Sequence, residues 1–218
     1  MAKKSVVAVI GLGRFGKSLA LELMSEDTEV LGIDNNSKTV ESVAGRLTHA
    51  VVADSTDAEA LEQLSVQDCD RAVVGIGTNL EASILTTSVL VEMGVPLIWA
   101  KAISNSHARI LRQIGAHHVV RPEHDMGLRV AHLVRGRMLD FIEFDDDYAM
   151  VKTVAPAYTV GRTLRESGVR RQYGVTIVAI KRPGEGFTYA TAETVVTEGD
   201  TLIVSGKITE TERFSELT

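Results

Sequence analysis

The stretch Ser5–Gly16 reads Ser-Val-Val-Ala-Val-Ile-Gly-Leu-Gly-Arg-Phe-Gly, an apolar run that breaks into GxGxxG. A strand that ends in this spacing and opens into a helix is the beginning of a nucleotide cradle. Gly11 allows the tight turn out of the strand, Gly13 lets the backbone approach a phosphate, and Gly16 lets the helix pack close against the sheet. The helix that follows, roughly Arg14–Met24, aims its free N–H groups and the positive end of its dipole at an anion.

Three glycines in a turn also arise for packing reasons alone, so the surroundings decide. A second β-run, Glu29–Ile33, leads into Asp34, eighteen positions after Gly16. A carboxylate there accepts both hydroxyls of a ribose and repels a 2′-phosphate, which disfavours NADP. Arg14, inside the loop beside Phe15, is always charged and suited to bidentate phosphate contacts. It suggests a ligand with more terminal phosphate charge than a dinucleotide; the alternative is a guanidinium turned to solvent.

The pattern of β-run followed by amphipathic segment then repeats. The pairs are Glu29–Ile33 with Ser37–Leu47, His49–Ala53 with Asp57–Leu64, and Arg71–Ile76 with Asn79–Met93. Leu97–Ala100 with Asn105–Ile114 and His118–Val120 with Asp125–Met138 follow. With the first pair they make six units and predict a Rossmann-like, doubly wound parallel α/β sheet. Ser37, Asp57 and Asn79 sit where N-caps belong, and Gly94 and Gly115 fall just past helix ends. Ligands of such sheets lie at the carboxyl ends of the strands. The residues there are Gly11, Gly13 and Arg14; Asp34 and Asn35; Asp54, Ser55 and Thr56; Gly77, Thr78 and Asn79; and Lys101. Asp54 is placed to meet an adenine edge, and Lys101 to give phosphate a second cation. Turn and cap formation is the competing role for each Asp, Ser and Asn.

The periodicity changes at Asp140–Asp147, where an edge strand or connector, Phe141–Phe144, precedes an acidic run. A domain boundary is placed there, giving residues 1–139 and a smaller α+β unit over 140–218. That unit offers strands near Ala149–Val154, Thr176–Lys181 and Thr201–Ser205 and a hairpin-like turn at Pro183–Gly186. Helices are expected near Val160–Glu166 and Thr209–Phe214. Its limited core favours association.

Composition narrows the function. Net charge is −6 with no Lys/Arg cluster, which argues against a nucleic-acid binder. The lone Cys69 excludes intrachain disulfides and cysteine-based zinc sites and fits a reducing compartment. Met1–Lys4 is basic, but the apolar run after it breaks at the glycine loop, so it reads as the first strand and not as a signal peptide. The longest apolar stretches fall far short of the roughly 20 residues that span a bilayer.

No persuasive catalytic set is present. Tyr148 and Lys152 make a YxxxK pair, yet the alternation of Tyr148–Val154 reads as a strand, on which a four-residue offset separates side chains by roughly 13 Å. His117 and His118 alternate faces and cannot share one ion. Glu123, which follows Pro122 at a helix start, is either an acid stabilised by the helix dipole or a ligand for a hard cation, and spacing alone favours the dipole role. On the helix Asp125–Met138, Met126, Val130, Leu133, Val134 and Met138 recur at core-like offsets, for packing on the sheet or for a subunit contact.

Three segments together resemble a known family: Val9–Gly16 (VIGLGRFG), Arg121–Gly127 (RPEHDMG) and Tyr173–Ile180 (YGVTIVAI). They are similar to the RCK (KTN) regulatory subunits of Trk/Ktr-type bacterial potassium uptake systems, over essentially the whole chain, with one copy of each domain as in the Ktr form. The resemblance implies a non-enzymatic cytoplasmic protein, peripheral to the inner face of the membrane through an integral-membrane potassium-translocating subunit. It implies dimers forming an octameric ring whose shape, and the channel's activity, respond to ATP against ADP. By position, Arg14 reaches the γ-phosphate of a nucleotide in the neighbouring subunit, Asp34 the ribose, and Glu123 a divalent cation, Mg2+ or Ca2+, between paired subunits; this reverses the preference from spacing. Cyclic di-AMP between the C-terminal domains is a further ligand that the match at Val169–Ile180 permits. The competing class is an NAD(H)-dependent oxidoreductase or NAD-sensing protein, which the same cradle and Asp34 support equally. The lack of a hydride-transfer domain after residue 140 weighs against it. A scaffold with a vestigial nucleotide fold survives only if no nucleotide binds.

Overall fold

The computed structural model describes residues 5–135, 137–145 and 147–217. The basic stretch Met1–Lys4 and Asp146 of the acidic run therefore lie outside the described residues. The chain divides into two compact units, Met1–Glu123 and His124–Thr218.

The elements of the first unit run β1 (Val6–Ile10), α1 (Arg14–Ser25), β2 (Glu29–Asp34), α2 (Ser37–Glu41), β3 (His49–Val52) and α3 (Ala58–Gln63). They continue with β4 (Arg71–Val74), α4 (Leu80–Glu92), β5 (Ile98–Lys101), α5 (Asn105–Gln113) and β6 (His118–Val120), and α6 (Pro122–Arg135) begins at its end. All six strands are parallel in the order β3-β2-β1-β4-β5-β6, so the expected doubly wound Rossmann-like sheet is present. β1 is apolar at every position because both of its faces are covered. Ala8 and Ile10 pack with Ile33, Val74, Leu90 and Ile98 on one side; Val7 and Val9 pack with Leu12, Ala20 and Val43 on the other.

The second unit carries β7 (Asp140–Asp145), β8 (Tyr148–Val154), α7 (Leu164–Ser167), α8 (Val169–Tyr173), β9 (Thr176–Lys181), β10 (Phe187–Tyr189), β11 (Thr201–Lys207) and α9 (Ile208–Ser215). Its sheet is antiparallel, in the order β10-β9-β11-β8-β7. Val175, Ile177, Ile180, Leu202, Val204 and the fully buried Phe214 form its core.

Several local expectations change. The N-cap of α2 is Asn36 and not Ser37, because its Oδ1 accepts from the N–H groups of Lys38 and Thr39. That helix also stops at Glu41, well short of Leu47. The helix expected at Val160–Glu166 is displaced: Gly161 takes φ +77, and Thr163 caps α7 in a reciprocal capping box with Glu166. α6 spans Pro122–Arg135 instead of Asp125–Met138, since proline at the first helical position has its φ preset and loses no bond there. Tyr148 and Lys152 do lie on a strand, with the Tyr148 hydroxyl 2.6 Å from the Ser205 Oγ.

The two compact units part earlier than the change of periodicity at residues 139 and 140. His132 and Leu133 explain this, because both pack in the second unit. His132 stacks on Phe141 and its Nδ1 lies 2.8 Å from the Glu212 Oε1, while Leu133 joins Met138, Phe141 and Val151. Met126, Val130 and Val134 on α6 are exposed, the last by 81%.

Arg129 holds α6 against the start of β7. Its Nε and Nη2 both donate to the Asp140 Oδ1, at 3.1 and 2.5 Å, and the Phe141 N–H donates to the same oxygen. The guanidinium first, and that N–H after it, hold the Asp140 carboxyl below its ordinary 3.8. A depressed folded value contributes stability that is present above the ordinary carboxylate range and is lost as pH falls through the folded value. Asp140→Asn is therefore expected to lower the denaturation midpoint near pH 7, with the gap to the parent closing below the ordinary range. A gap independent of pH would refute this.

Candidate functional site

The winding of the parallel sheet reverses between β1 and β4, and the loops leaving the carboxyl ends of its strands enclose a cavity of about 440 Å³. Gly11, Gly13, Arg14, Phe15, Asp34, Asn35, Asp54, Ser55, Gly77, Asn79, Lys101 and Glu123 all line it, as does Thr78. Gly16 and Thr56 do not, and each has a structural role behind the wall.

The turn out of β1 is built by two glycines. Gly11 has φ +88 and donates its N–H to the Ile33 carbonyl at 2.8 Å, while a Cβ on Gly16 would fall 1.9 Å from the Gly11 carbonyl oxygen. The helix axis can approach the strand so closely only because Gly16 has no side chain. A Cβ on Gly13, by contrast, would meet nothing within 4 Å, so its backbone faces open space at the start of α1.

Asp34 ends β2. Its Oδ2 accepts from the Leu12 N–H at 2.7 Å and its Oδ1 from the Asn36 N–H at 2.9 Å, which tie the glycine turn to the β2 loop. A carboxylate has about four lone-pair sites, so two remain for ribose hydroxyls. Asp54 accepts from both the N–H and the hydroxyl of Thr56, at 2.9 and 2.8 Å, and these bonds hold its carboxyl below the ordinary 3.8. Ser55 is buried and 2.8 Å from the Thr86 hydroxyl of α4. Asn79 caps α4 by accepting from the Ala82 N–H. These last contacts are the cap and turn roles weighed against ligand binding, and they hold the residues in place on the cavity wall.

The cationic side is Arg14 and Lys101. Arg14 is exposed at the first position of α1. Lys101, the last residue of β5, is only 8% exposed. Its Nζ donates to the Glu123 Oε1 at 2.5 Å and lies 5.6 Å from the Phe15 ring centroid. That hydrogen bond first, with the charges of Lys101 and Arg14 adding, holds the Glu123 carboxyl below its ordinary 4.5. Glu123 is thus an anion facing two cations at the second position of α6, a setting the helix dipole also favours. Among the described residues no group of three or more His, Cys, Asp or Glu side chains is placed to hold a metal ion.

Asn36, Thr39, Ile76, Ala82 and Ile103 also line the cavity and were not expected to. Asn36 reaches the wall as the N-cap of α2, a role for which the adjacent Ser37 carries an equal sequence signal. Ile103 had a legible signal, an apolar residue two positions past the end of β5 on the ligand edge of the sheet, where it is half exposed.

Residues 7–122 match the TrkA-N domain and residues 148–218 the TrkA-C domain. The Ktr system potassium uptake protein C of Bacillus subtilis (strain 168) is 42% identical over 214 residues, covering 98% of this chain and 97% of that protein. The Ktr system potassium uptake protein A of Vibrio alginolyticus is 37% identical, covering 91% of each. Among solved structures, the GsuK channel bound to NAD superposes with a TM-score of 0.68 at 19% identity, over 100% of this chain and 40% of that one. The TrkA-N domain of the inner membrane protein ybaL from Escherichia coli gives 0.53 at 21% identity, over 62% and 99%. At these identities the likeness is one of fold, and this chain spans less than half of the channel chain.

Proposed function

Because this chain belongs to the TrkA/Ktr family of potassium-uptake proteins, we propose that it is a nucleotide-binding regulatory subunit that gates a membrane potassium transporter in response to ATP versus ADP. The observation that carries the reading is the polarity of one cavity. Asp34, with lone pairs to spare for ribose hydroxyls, stands on one side, and Gly13, Arg14 and Lys101 gather backbone N–H groups and two cations on the other. Adenine and ribose then lie toward Asp34, Asn35 and Asp54, and the phosphates toward the start of α1. ATP and ADP differ there by one phosphate, and a ligand shifts a conformational equilibrium only by its differential affinity for the two states. Arg14 is the residue that senses that difference.

Glu123 fits a divalent cation in part. Its carboxylate is anionic and its side chain is 66% exposed, but it is a single ligand among the described residues. A cation there takes its remaining oxygens from nucleotide phosphate, water or a second copy of the chain. Bound there, such an ion would neutralise phosphate charge and bridge paired subunits.

The exposed Met126, Val130 and Val134 of α6 support self-association of the chain, and the assembly we propose is of dimers in a ring beneath an integral-membrane potassium-translocating subunit. No helix among the described residues is long and apolar enough to cross a membrane, so the membrane role runs through that subunit. The second unit has its own groove, lined by Arg165 and Arg170 with Leu164, Val169 and Ile177; Arg165 is paired with Glu193 at 2.5 Å, and the Arg170 guanidinium beside these apolar side chains suits an anionic base-bearing ligand such as cyclic di-AMP.

The test is calorimetric titration of the purified protein with ATP, ADP, NADH and NADPH, with and without Mg2+ or Ca2+, while the assembly is sized in each state. Tight ATP and ADP binding with a nucleotide-dependent change in an assembly larger than a dimer is expected. Binding of NADH alone would transfer the cavity to the NAD(H)-dependent oxidoreductase or NAD-sensing reading.

A further inference from the structure

His107 is a buried imidazole that none of the roles above uses. It stands at the third position of α5, is 1% exposed, and is bonded to the loop that leaves β5. The Ser104 Oγ accepts from the His107 backbone N–H at 3.1 Å, and the His107 Nδ1 accepts from the Ile103 N–H at 3.3 Å. This is a capping box displaced by one residue, with an imidazole where glutamate or glutamine normally stands. The loop it closes belongs to the nucleotide cavity. Ile103 lines the wall, and a Cβ on Gly77 would stand 3.9 Å from an Ile103 methyl and 3.3 Å from the Lys101 Nζ. The Ala102 N–H is held by the Val120 carbonyl at 2.8 Å, and the imidazole holds the residue after it.

Acceptance at Nδ1 puts the ring proton on Nε2, and that atom is buried with no hydrogen-bond partner among the described residues. A second proton would make Nδ1 a donor facing the Ile103 N–H. Neither ring nitrogen would then have an acceptor, and a charge would be buried with them. Ionisable side chains stand on the surrounding elements, Glu81 and Glu92 on α4, Lys101 on β5, Arg109 and Arg112 on α5 and His118 on β6, but burial is the cause that lowers the His107 value below its ordinary 6.5. With a depressed folded value, the closed, neutral arrangement is fully favoured above the ordinary value and is lost as pH falls through the folded one. We propose that His107 is a positioning residue for the nucleotide cavity: the neutral imidazole holds Ile103 on the wall, and protonation releases it. The proposal rests on the nucleotide reading above and adds a proton to it. Nucleotide then favours the neutral ring, and by linkage protonation weakens nucleotide binding by the same factor by which nucleotide weakens protonation.

The experiment follows the His107 ring protons by NMR through a pH titration of the whole chain, without nucleotide and saturated with ADP. Beside it, ADP is titrated into the parent, His107→Leu and His107→Gln at about pH 8 and about pH 5.5, on either side of the ordinary histidine range. ADP is expected to move the His107 titration to lower pH, which a cap with no tie to the cavity would not show. At about pH 8, His107→Leu, which removes the acceptor, should bind ADP about fivefold less tightly, the scale of one neutral hydrogen bond. His107→Gln, which returns an acceptor, should recover most of that loss. Between the two pH values the parent should lose more ADP affinity than His107→Gln, by at most about tenfold per pH unit for one proton. Phosphate ionisation is common to both chains and cancels. Where His107→Leu fails to fold, the NMR titration and His107→Gln decide. Coincident His107 titrations with and without ADP overturn the proposal and leave the nucleotide reading standing, as do equal pH dependence in parent and His107→Gln or parental affinity in a folded His107→Leu. A parent chain that binds neither ADP nor ATP at about pH 8 overturns the nucleotide reading itself, and this proposal with it.

Discussion

Gly16→Ala is expected to destabilise the first unit by roughly 3 kcal/mol or more, the upper range for forcing added volume into a packed site. Its Cβ would lie 1.9 Å from the Gly11 carbonyl oxygen, and the obstacle is backbone, with no flexible side chain to move aside. Relief requires the start of α1 to swing away from β1, which would carry the exposed N–H groups after Gly13 off the cavity. Stability and nucleotide affinity should therefore fall together, measured as the urea midpoint and by titration with ADP. Gly13→Ala separates the two effects. Its Cβ meets nothing within 4 Å and its backbone, at φ −62, is open to any residue. That variant should unfold at the parent's midpoint and still bind ADP less tightly, because the methyl group occupies the space through which a phosphate approaches the backbone. A Gly16→Ala protein with unaltered midpoint and affinity would contradict the close packing of α1 on β1.

Arg14→Ala addresses what the cavity distinguishes. The guanidinium is exposed at the first position of α1, so its loss leaves no buried partner stranded and the fold should be unaffected. ADP binding should remain nearly intact, while the preference for ATP falls by about thirtyfold, the equivalent of about 2 kcal/mol for a charge-assisted phosphate contact. Titrations of both nucleotides into parent and variant, at fixed divalent cation, give the ratio directly. Unchanged discrimination between ATP and ADP would remove Arg14 as the sensor.

The first unit was legible because its signals are local. β1 is apolar on both faces, GxGxxG follows at once, and Asp57 and Asn79 cap the helices that the periodicity predicts. Gly94 and Gly115, at φ +74 and +106, end helices in the left-handed conformation, as their positions implied. Local signals are weaker where one residue decides a boundary. Asn36, next to Ser37, is an equally good cap, and only the hydrogen bonds to Lys38 and Thr39 distinguish them. In the second unit, short helices such as α7 and α8 carry too few turns for a period to register, and Gly168 and Gly174, at φ +60 and +74, end them through backbone conformation.

Local residue patterns specify the parallel α/β order, the glycine turn, and the collection of Asp34, Asp54, Asn79 and Lys101 at one edge of the sheet. These follow from strand period, turn chemistry and the rule that a doubly wound sheet presents its loops at the carboxyl ends of its strands. What those side chains already hold follows from the folded arrangement of the loops. Asp34 is bonded to Leu12 and Asn36, Ser55 is adjacent to Thr86, and Lys101 is committed to Glu123, twenty-two residues away. Such pairings depend on which loops close on one another across the sheet, and no local pattern encodes a distance between residues that meet only after the chain has folded.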